Sequence, residues 1–294
     1  MIIVIMGPTA SGKSRLALET AQKINGEIVS FDSMQVYRGL EIGTAQPTAA
    51  ERQMIPHHLV GIYDIHQRLD VYTFTELAEK AVQDILQRGK VPILAGGTGM
   101  YLRSFLYGMD DMPGDRKIRA ELDELYDAPE KEPALHARMA ELDPAVLEKW
   151  RDCRRRLIRA LEVKLVSGKS ILELQQNLDR KLRYDVQAFK LDLDPEVLNQ
   201  KIAARTEVML KEGWIEEAEA AIKAGLLETP TAHQALGYKL IASYLNGEFS
   251  LAVLKEKLII ATRQYARRQR TWFRHQHPEA QSVTSPESPL PIVH

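Results

Sequence analysis

The chain has one cysteine in 294 residues, Cys153, so it can form no internal disulfide and no zinc site built on paired cysteines. That usage fits a reducing compartment, and nothing indicates a structural metal. Long apolar runs are lacking too. The opening pentad Ile2-Ile3-Val4-Ile5-Met6 stops at Gly7-Pro8, far short of a membrane span or a secretory core, and no basic leader precedes it. We therefore expect a buried strand in a cytoplasmic protein without membrane attachment. Nor is there a surplus of charge of one sign: 39 Lys and Arg stand against 40 Asp and Glu. A polyanionic partner would have to be read from where the charges sit, not from their sum. With 45% hydrophobic and 27% charged residues the chain falls among ordinary globular proteins, which excludes fibrous and wholly disordered classes. Its length suits one large α/β domain with an insertion, or two modest domains.

What is present begins with an alternation. Apolar runs at 2–6, Glu27–Ser30 and Pro92–Ala95 alternate with helical patterns opening near Lys13 and spanning Thr75–Arg88, which predicts a parallel sheet with crossover helices. From about 115 to 183 strand signals vanish, and amphipathic segments follow one another at Arg119–Tyr126, Ala134–Leu142, Ala145–Trp150, Arg155–Val166 and Ile171–Leu178. We expect an α/β fold, a P-loop parallel-sheet core flanked by helices at 1–114 and 184–294, with an all-helical insertion at 115–183. Tyr184–Leu193 reads as a further core strand, and Asp194-Pro195 as the start of a helix. Long helices follow, with breaks near Gly225–Pro230 and at Asn246-Gly247. The tail after His277, rich in Ser and Pro, is expected to lack fixed structure.

The first chemistry-bearing motif is Gly7-Pro8-Thr9-Ala10-Ser11-Gly12-Lys13-Ser14, which fits G-x-x-x-x-G-K-[ST] between an apolar strand and a helix. Glycines let backbone N–H groups close around phosphate oxygens at a helix N-terminus; Lys13 adds a point charge and Ser14 a hydroxyl for Mg²⁺. Alone, this motif points to ATP and a kinase acting on a nucleotide or small molecule. Such enzymes usually grip the metal with an acidic residue at the end of a second strand. Here the strand Val91-Pro92-Ile93-Leu94-Ala95 ends in Gly96-Gly97-Thr98-Gly99 instead. That glycine run suits either close approach to a ligand or a tight turn. Asp32, just past the strand Ile28-Val29-Ser30, lies on the same edge as the phosphate loop. It could hold Mg²⁺ through water, accept a proton from a nucleophile, or cap a local turn.

A second feature lies near the C-terminus. Arg263, Arg267, Arg270 and Arg274 recur at helical spacing, with Leu254, Leu258, Ala261, Tyr265 and Trp272 opposite. No Asp or Glu occurs between Glu256 and Glu279, so the stripe cannot be neutralised along its own helix. Such a stripe suits a nucleic-acid backbone. A second cluster, Arg154-Arg155-Arg156 with Arg159, sits beside Glu148, Asp152 and Glu162, and could equally be a solvated face. His57 and His58 are adjacent, point apart on a strand, and read as structural.

Several segments together resemble the tRNA dimethylallyltransferases (tRNA isopentenyltransferases). They are Asp32-Ser33-Met34-Gln35-Val36-Tyr37-Arg38-Gly39-Leu40, Ile42-Gly43-Thr44-Ala45, Pro56-His57-His58-Leu59, Gly96-Gly97-Thr98-Gly99-Met100-Tyr101, Arg159-Ala160-Leu161-Glu162-Val163, Gly237-Tyr238-Lys239, and Thr262-Arg263-Gln264-Tyr265-Ala266-Arg267-Arg268-Gln269. They run in the family's order along nearly the whole chain. The resemblance implies transfer of a dimethylallyl group from dimethylallyl diphosphate to N6 of the adenosine 3′-adjacent to the anticodon, in tRNAs reading codons that begin with U. It also implies that the loop Gly7–Ser14 grips the diphosphate and not ATP, with Mg²⁺ on Ser14. Asp32 would be the general base, Thr98 would orient the reacting centre, and Arg205 would join Lys13 on the diphosphate. For the tRNA anticodon stem-loop it implies contacts by Asp32, Ser33, Met34, Gln35, Arg119, Arg155, Arg156, Arg159, Gln234, Gly237, Tyr238, Lys239, Arg263, Arg267, Arg268, Arg270 and Arg274. Insertion and core would clamp the stem-loop while the target base is unstacked into a channel ending at Asp32. Where members carry Ile-His-Pro-Asn-Asp, this chain has Lys149-Trp150-Arg151-Asp152-Cys153, and the insertion is shorter around Asp127–Pro133. With no Cys/His finger after the core, the resemblance is to the bacterial type, expected to act as a monomer.

Overall fold

The structure is a computed structural model and describes residues 1–108, 112–176, 181–277 and 279–292. Strands β1 (Ile2–Met6), β2 (Gly26–Ser30), β3 (His57–His58), β4 (Val91–Gly96), β5 (Val186–Leu191) and β6 (Gln281–Val283) form one sheet in the order β3-β2-β4-β1-β5-β6. Every pairing is parallel. The expected P-loop α/β core is therefore observed. All five residues of β1 are buried, as an uninterrupted apolar run requires in a strand covered on both faces.

Alternate residues feed two cores. Ile2, Val4, Met6, Val29 and Leu94 pack on one face with Phe31, Phe74 and Phe105. Ile3, Ile5, Ile28, Ile93 and Phe189 pack on the other with Leu16 and Ala17. Helices α1 (Lys13–Lys23), α2 (Ala49–Met54), α3 (Val71–Gln87) and α4 (Gly99–Tyr107) connect these strands. The pattern read as Thr75–Arg88 starts earlier, because Asp70 caps α3 by accepting the Thr73 N–H at 2.9 Å.

The chain divides into two units, Met1–Gly108 with Leu182–His294, and Met109–Lys181. The second unit is helical throughout its described residues: α5 (Arg116–Tyr126), α6 (Glu132–Leu142), α7 (Pro144–Trp150), α8 (Arg154–Ser167) and α9 (Ile171–Gln176), with a 3-10 turn at Pro129–Lys131. It buries its own core of Leu122, Leu135, Met139, Leu157, Ile158 and Leu161. The last two residues of the segment read as Ile171–Leu178 lie outside the described residues.

After β5 come α10 (Pro195–Lys211), α11 (Trp214–Lys223), α12 (Tyr238–Leu245) and α13 (Leu251–Gln276). Asp194 caps α10 through Glu196 N and Val197 N, with Pro195 in the first turn, as Asp-Pro predicts. Two expectations need correction. The tail is not without structure: β6 adds to the β5 edge, Asp192 N donates to Val283 O at 3.0 Å, and Val283 is buried while Leu290 and Ile292 pack on the core. Its apolar residues are too few to mark a strand until an open parallel edge accepts them. The packed face of α13 centres on Leu254, Leu258, Ala266, Gln269 and Phe273, while Ala261 and Trp272 are only half-buried. The expected stripe was rotated toward its flank.

Candidate active site

The phosphate loop leaves β1 through Gly7, whose added Cβ would press on Leu191, and turns through Ala10 and Gly12 at positive φ into α1. Ser11 is fully buried, and its hydroxyl has no partner. Lys13 folds back over the loop, Nζ donating to Pro8 O at 2.7 Å, while Ser14 stands exposed at the helix start. From α10, Arg205 brings its guanidinium to Thr9 Oγ1 at 3.3 Å.

Asp32 follows β2 on the adjoining strand end. Its Oδ1 accepts the Met34 N–H at 3.0 Å, so the turn-capping role is real. The same carboxylate also lines two neighbouring cavities. A small polar niche of about 70 Å³ is formed by Thr9, Lys13, Ser14, Asp32, Gln35, Thr44, Ala45, the Ala95–Gly97 strand end, Arg205 and Gln269. A larger cavity of about 290 Å³ has Asp32, Arg205 and Thr9 at one end, with Ile202, Met209, Trp214, Leu236 and Tyr265 among its walls. One carboxylate and one guanidinium thus face both compartments.

The electrostatics follow from taking opposite charges out of water together. Burial pulls the Lys13 ammonium down to about 7, against the raising influence of Asp32, and Arg205 lowers it further. Burial raises the Asp32 carboxyl above its ordinary range, opposed by the Met34 N–H and by Lys13 and Arg205. Arg205 is lowered by burial and raised by Asp32. Perturbed groups gathered in a cleft of this kind are the usual mark of chemistry and not of scaffolding.

Thr98 lines neither cavity. Its hydroxyl accepts the Ser33 N–H at 3.0 Å while its own N–H donates to Phe31 O, so it braces the Asp32 segment. The glycine run at the end of β4 serves close approach to the chain itself, and Gly96 and Gly97 also line the niche. A Cβ at Gly96 would collide with the Phe31 backbone, at Gly97 with Gln269 and at Gly99 with Trp272.

Three side chains position the loops around the site; of these Gln35 was expected to contact tRNA, while Gln269 and Glu217 had no assigned role in the sequence. Gln269 accepts Thr9 N at 2.8 Å and donates to Gly97 O at 2.9 Å, bridging the phosphate loop and the glycine turn. Gln35, held by Ser30 Oγ at 2.7 Å, donates to Thr44 O and Ala45 O. Glu217 accepts from Ile42 N at 2.7 Å, Gly43 N at 2.8 Å and Tyr238 Oη at 2.7 Å, fixing the loop that walls both cavities. Gln269 and Gln35 lay inside quoted motifs; Glu217 gave no signal, since its partners are far away in sequence.

The expected tRNA-contacting residues divide. Ser33, Met34 and Gln234 line the larger cavity, and Arg268 sits at its rim over the Tyr265 ring at 5.8 Å. Arg263, Arg267, Arg274 and Lys239 are exposed. Arg270 instead pairs with Asp192 at 2.8 Å, a neutralising partner supplied by the end of β5 that a helix-only reading could not see. Tyr238 corrects its expectation as a surface contact. It is fully buried, with its hydroxyl on Glu217 and its ring edge-on to Trp214, and Gly237 is buried beside Trp214.

In the second unit Arg155 and Arg156 are exposed. Arg119 and Arg159 both pair with the buried Glu162, at 3.4 and 2.7 Å, and so are engaged within the unit. The segment Lys149–Cys153 closes α7 and starts α8, with the Lys149 and Arg156 cations each 5.8 Å from the Trp150 ring centre. At the sheet edge, His58 Nε2 lies 2.8 Å from Glu27 and His57 Nδ1 2.8 Å from Ile55 O, both away from the site.

A parallel sheet with a phosphate loop, a half-buried carboxylate at the next strand end and two cations near it defines a P-loop α/β protein. Comparison narrows that class. Residues 35–276 match the family model described as IPP transferase, and the chain belongs to that family. The phosphate loop and Asp32 precede the matched span. A tRNA dimethylallyltransferase of Kocuria rhizophila is 39% identical over 272 residues, 92% of this chain and 86% of that protein. One of Geobacter metallireducens is 42% identical over 93% of this chain and 89% of its own length. The crystal structure of the full-length tRNA isopentenylpyrophosphate transferase of Bacillus halodurans matches with a TM-score of 0.71 at 34% identity, covering 96% of this chain and 89% of that one. A eukaryotic dimethylallyltransferase captured acting on tRNA matches with a TM-score of 0.78 at 30% identity, covering 92% and 69%.

Proposed function

We propose that this chain is a tRNA dimethylallyltransferase. It transfers the dimethylallyl group of dimethylallyl diphosphate to N6 of the adenosine 3′-adjacent to the anticodon, in tRNAs reading codons that begin with U, and releases diphosphate. The observation that carries this reading is the shared wall at Asp32: one carboxylate borders both the cationic niche and the larger, partly apolar cavity. The diphosphate sits in the niche on the phosphate-loop N–H groups, Lys13 and Arg205. The allylic carbon and the adenine meet in the larger cavity. The N6 lone pair attacks the allylic carbon, the carbon–oxygen bond to diphosphate breaks, and Asp32 takes the N6 proton. Lys13 and Arg205 stabilise the charge that develops on the departing oxygen.

Ser14 offers a hydroxyl oxygen in the niche, a hard donor that would hold Mg²⁺ beside the diphosphate. When bound, the ion would withdraw charge from the leaving group. Exposed Arg263, Arg267, Arg268, Arg274, Lys239, Arg155 and Arg156 are cations available to tRNA phosphates. We read the enzyme as a cytoplasmic monomer. No helix among the described residues is long and apolar enough to cross a membrane.

The deciding experiment is mass spectrometry of nucleosides from tRNA incubated with enzyme, dimethylallyl diphosphate and Mg²⁺. Isopentenyl-adenosine beside the anticodon is expected. Unmodified tRNA, with ATP turned over to ADP on a mononucleotide or metabolite, would replace this reading with that of a kinase.

A further inference from the structure

Next to the reaction cavity, α13 carries an open groove of about 340 Å³ formed by Arg267, Arg268, Thr271, Trp272, His275 and Gln276. Two guanidinium groups and an imidazole stand exposed around a half-buried indole, and no acid lines the groove. Arg270, one turn away, is neutralised by Asp192; among the described residues Arg267 and His275 have no such partner. The indole is fixed where it stands, because its edge packs so closely on Gly99 that any side chain there would collide with it. Arg268 belongs to both cavities, lining the reaction cavity over Tyr265 and the groove beside Trp272.

The chemistry selects the ligand. A free phosphate would use the arginines and leave the indole idle, and an aliphatic ligand would do the reverse. A flat base joined to phosphates uses both, since aromatic faces hold unstacked bases while arginines hold the backbone. Continuity through Arg268 sets which base. An adenosine turned into the reaction cavity leaves its chain neighbour one phosphodiester away, unstacked on that side.

We propose that this groove holds the nucleotide adjoining the reactive adenosine, its base against Trp272 and its phosphates on Arg267 and Arg268. The inference rests on the tRNA reading given above. A pre-set aromatic platform holds the loop open by stacking, without a hydrogen-bond code of its own, and fails when the base is missing.

The test is a double-mutant cycle on anticodon stem-loop RNAs in which the nucleotide on the 5′ or the 3′ side of the reactive adenosine is abasic, read as Kd by fluorescence anisotropy without allylic donor. With the wild-type enzyme, one of the two abasic RNAs should bind about tenfold more weakly than intact RNA. Trp272→Leu should bind intact RNA about tenfold more weakly and lose no more than about twofold further on the abasic RNA. Trp272→Phe should keep most of the dependence on the base. Losses that multiply, or a wild type indifferent to both abasic RNAs, overturn the inference. If Trp272→Leu does not fold, the exposed Arg267→Gln carries the same cycle against a neutral methylphosphonate at the adjoining linkage, with multiplying losses again fatal. An enzyme that neither binds nor prenylates intact RNA would sink the tRNA reading itself; normal prenylation with a multiplying cycle sinks the groove alone.

Discussion

Gln269 holds the backbone N–H of Thr9 at 2.8 Å across 260 residues of sequence, while its amide nitrogen holds Gly97 O. One buried amide on α13 thereby fixes the distance between the phosphate loop and the turn that supports Asp32. Gln269→Leu strands a buried donor and a buried acceptor, a loss of about 1–3 kcal/mol. Gln269→Glu restores the acceptor but cannot donate to Gly97 O, and it adds a negative charge beside the diphosphate niche. We expect both variants to fold, with the KM for dimethylallyl diphosphate raised about tenfold in the first and more in the second. Equal KM values for the two would show that packing, not polarity, is what Gln269 supplies.

The pH profile should be set by the same pair that sets the chemistry. Asp32 must be ionised to accept a proton, and burial raises its carboxyl, so activity falls as pH drops through that raised value. Lys13 must be charged to hold the diphosphate, and in the free enzyme it loses its proton at about 7. The profile of kcat/KM for the allylic donor should therefore be bell-shaped, with its basic limb near neutrality. Lys13→Ala should lower the maximum and abolish that basic limb. Asp32→Asn should bind tRNA with near-normal affinity and lose most turnover.

How far this site could be read from sequence depended on the range of the interactions. The phosphate loop and Asp32 are local: a strand, a loop and a helix start within a few residues, so pattern and chemistry coincide. The same holds for the helical segments of the second unit and for the Asp194-Pro195 cap. What escaped was set by contacts distant along the chain. Gln281–Val283 is a strand only because β5 offers an edge, and the hold of Gln35 and Glu217 on the 42–45 loop crosses to backbone groups that no local pattern marks. The counter-charge of Arg270 was hidden for the same reason, since it arrives from Asp192.

Glu217 accepts the Ile42 N–H on one carboxylate oxygen and the Gly43 N–H on the other. Glu217→Gln keeps the shape but turns a donor toward one of those N–H groups. The loop walling both cavities should then shift, raising the KM for the allylic donor several-fold with little change in thermal stability. An unchanged KM would remove Glu217 from the positioning network.

At the sheet edge, Glu27 is buried beneath Arg88, Lys90 and His58, far from the reaction. Its carboxyl is held well below the usual range, chiefly by the Arg88 hydrogen bonds and against the effect of burial. A depressed carboxylate contributes stability that is fully present above the unfolded value of about 4.3 and is lost as pH falls toward the folded one. Glu27→Gln leaves the Arg88 and Lys90 cations facing a neutral buried group and should cost about 3–5 kcal/mol at pH 7. Urea unfolding followed by circular dichroism should show this loss shrinking between pH 5 and pH 3. A loss that stays constant with pH would mean that packing, not charge, anchors β2.

The arginines of α13 divide by counter-charge, and salt should divide them too. Each free cation that replaces a counterion on RNA adds about 0.7 to the slope of log K against log salt, whereas one already paired with a carboxylate adds little. Arg267→Ala and Arg274→Ala should each weaken tRNA binding and reduce that slope by about 0.7–1. Arg270→Ala should leave the slope almost unchanged, because Asp192 already answers its charge at 2.8 Å. It should instead lower stability, since Asp192 at the end of β5 loses its partner beside the phosphate loop. A slope reduced as much by Arg270→Ala as by Arg267→Ala would mean that tRNA breaks the Asp192 pair on binding, and the helix would then offer its whole stripe to the backbone.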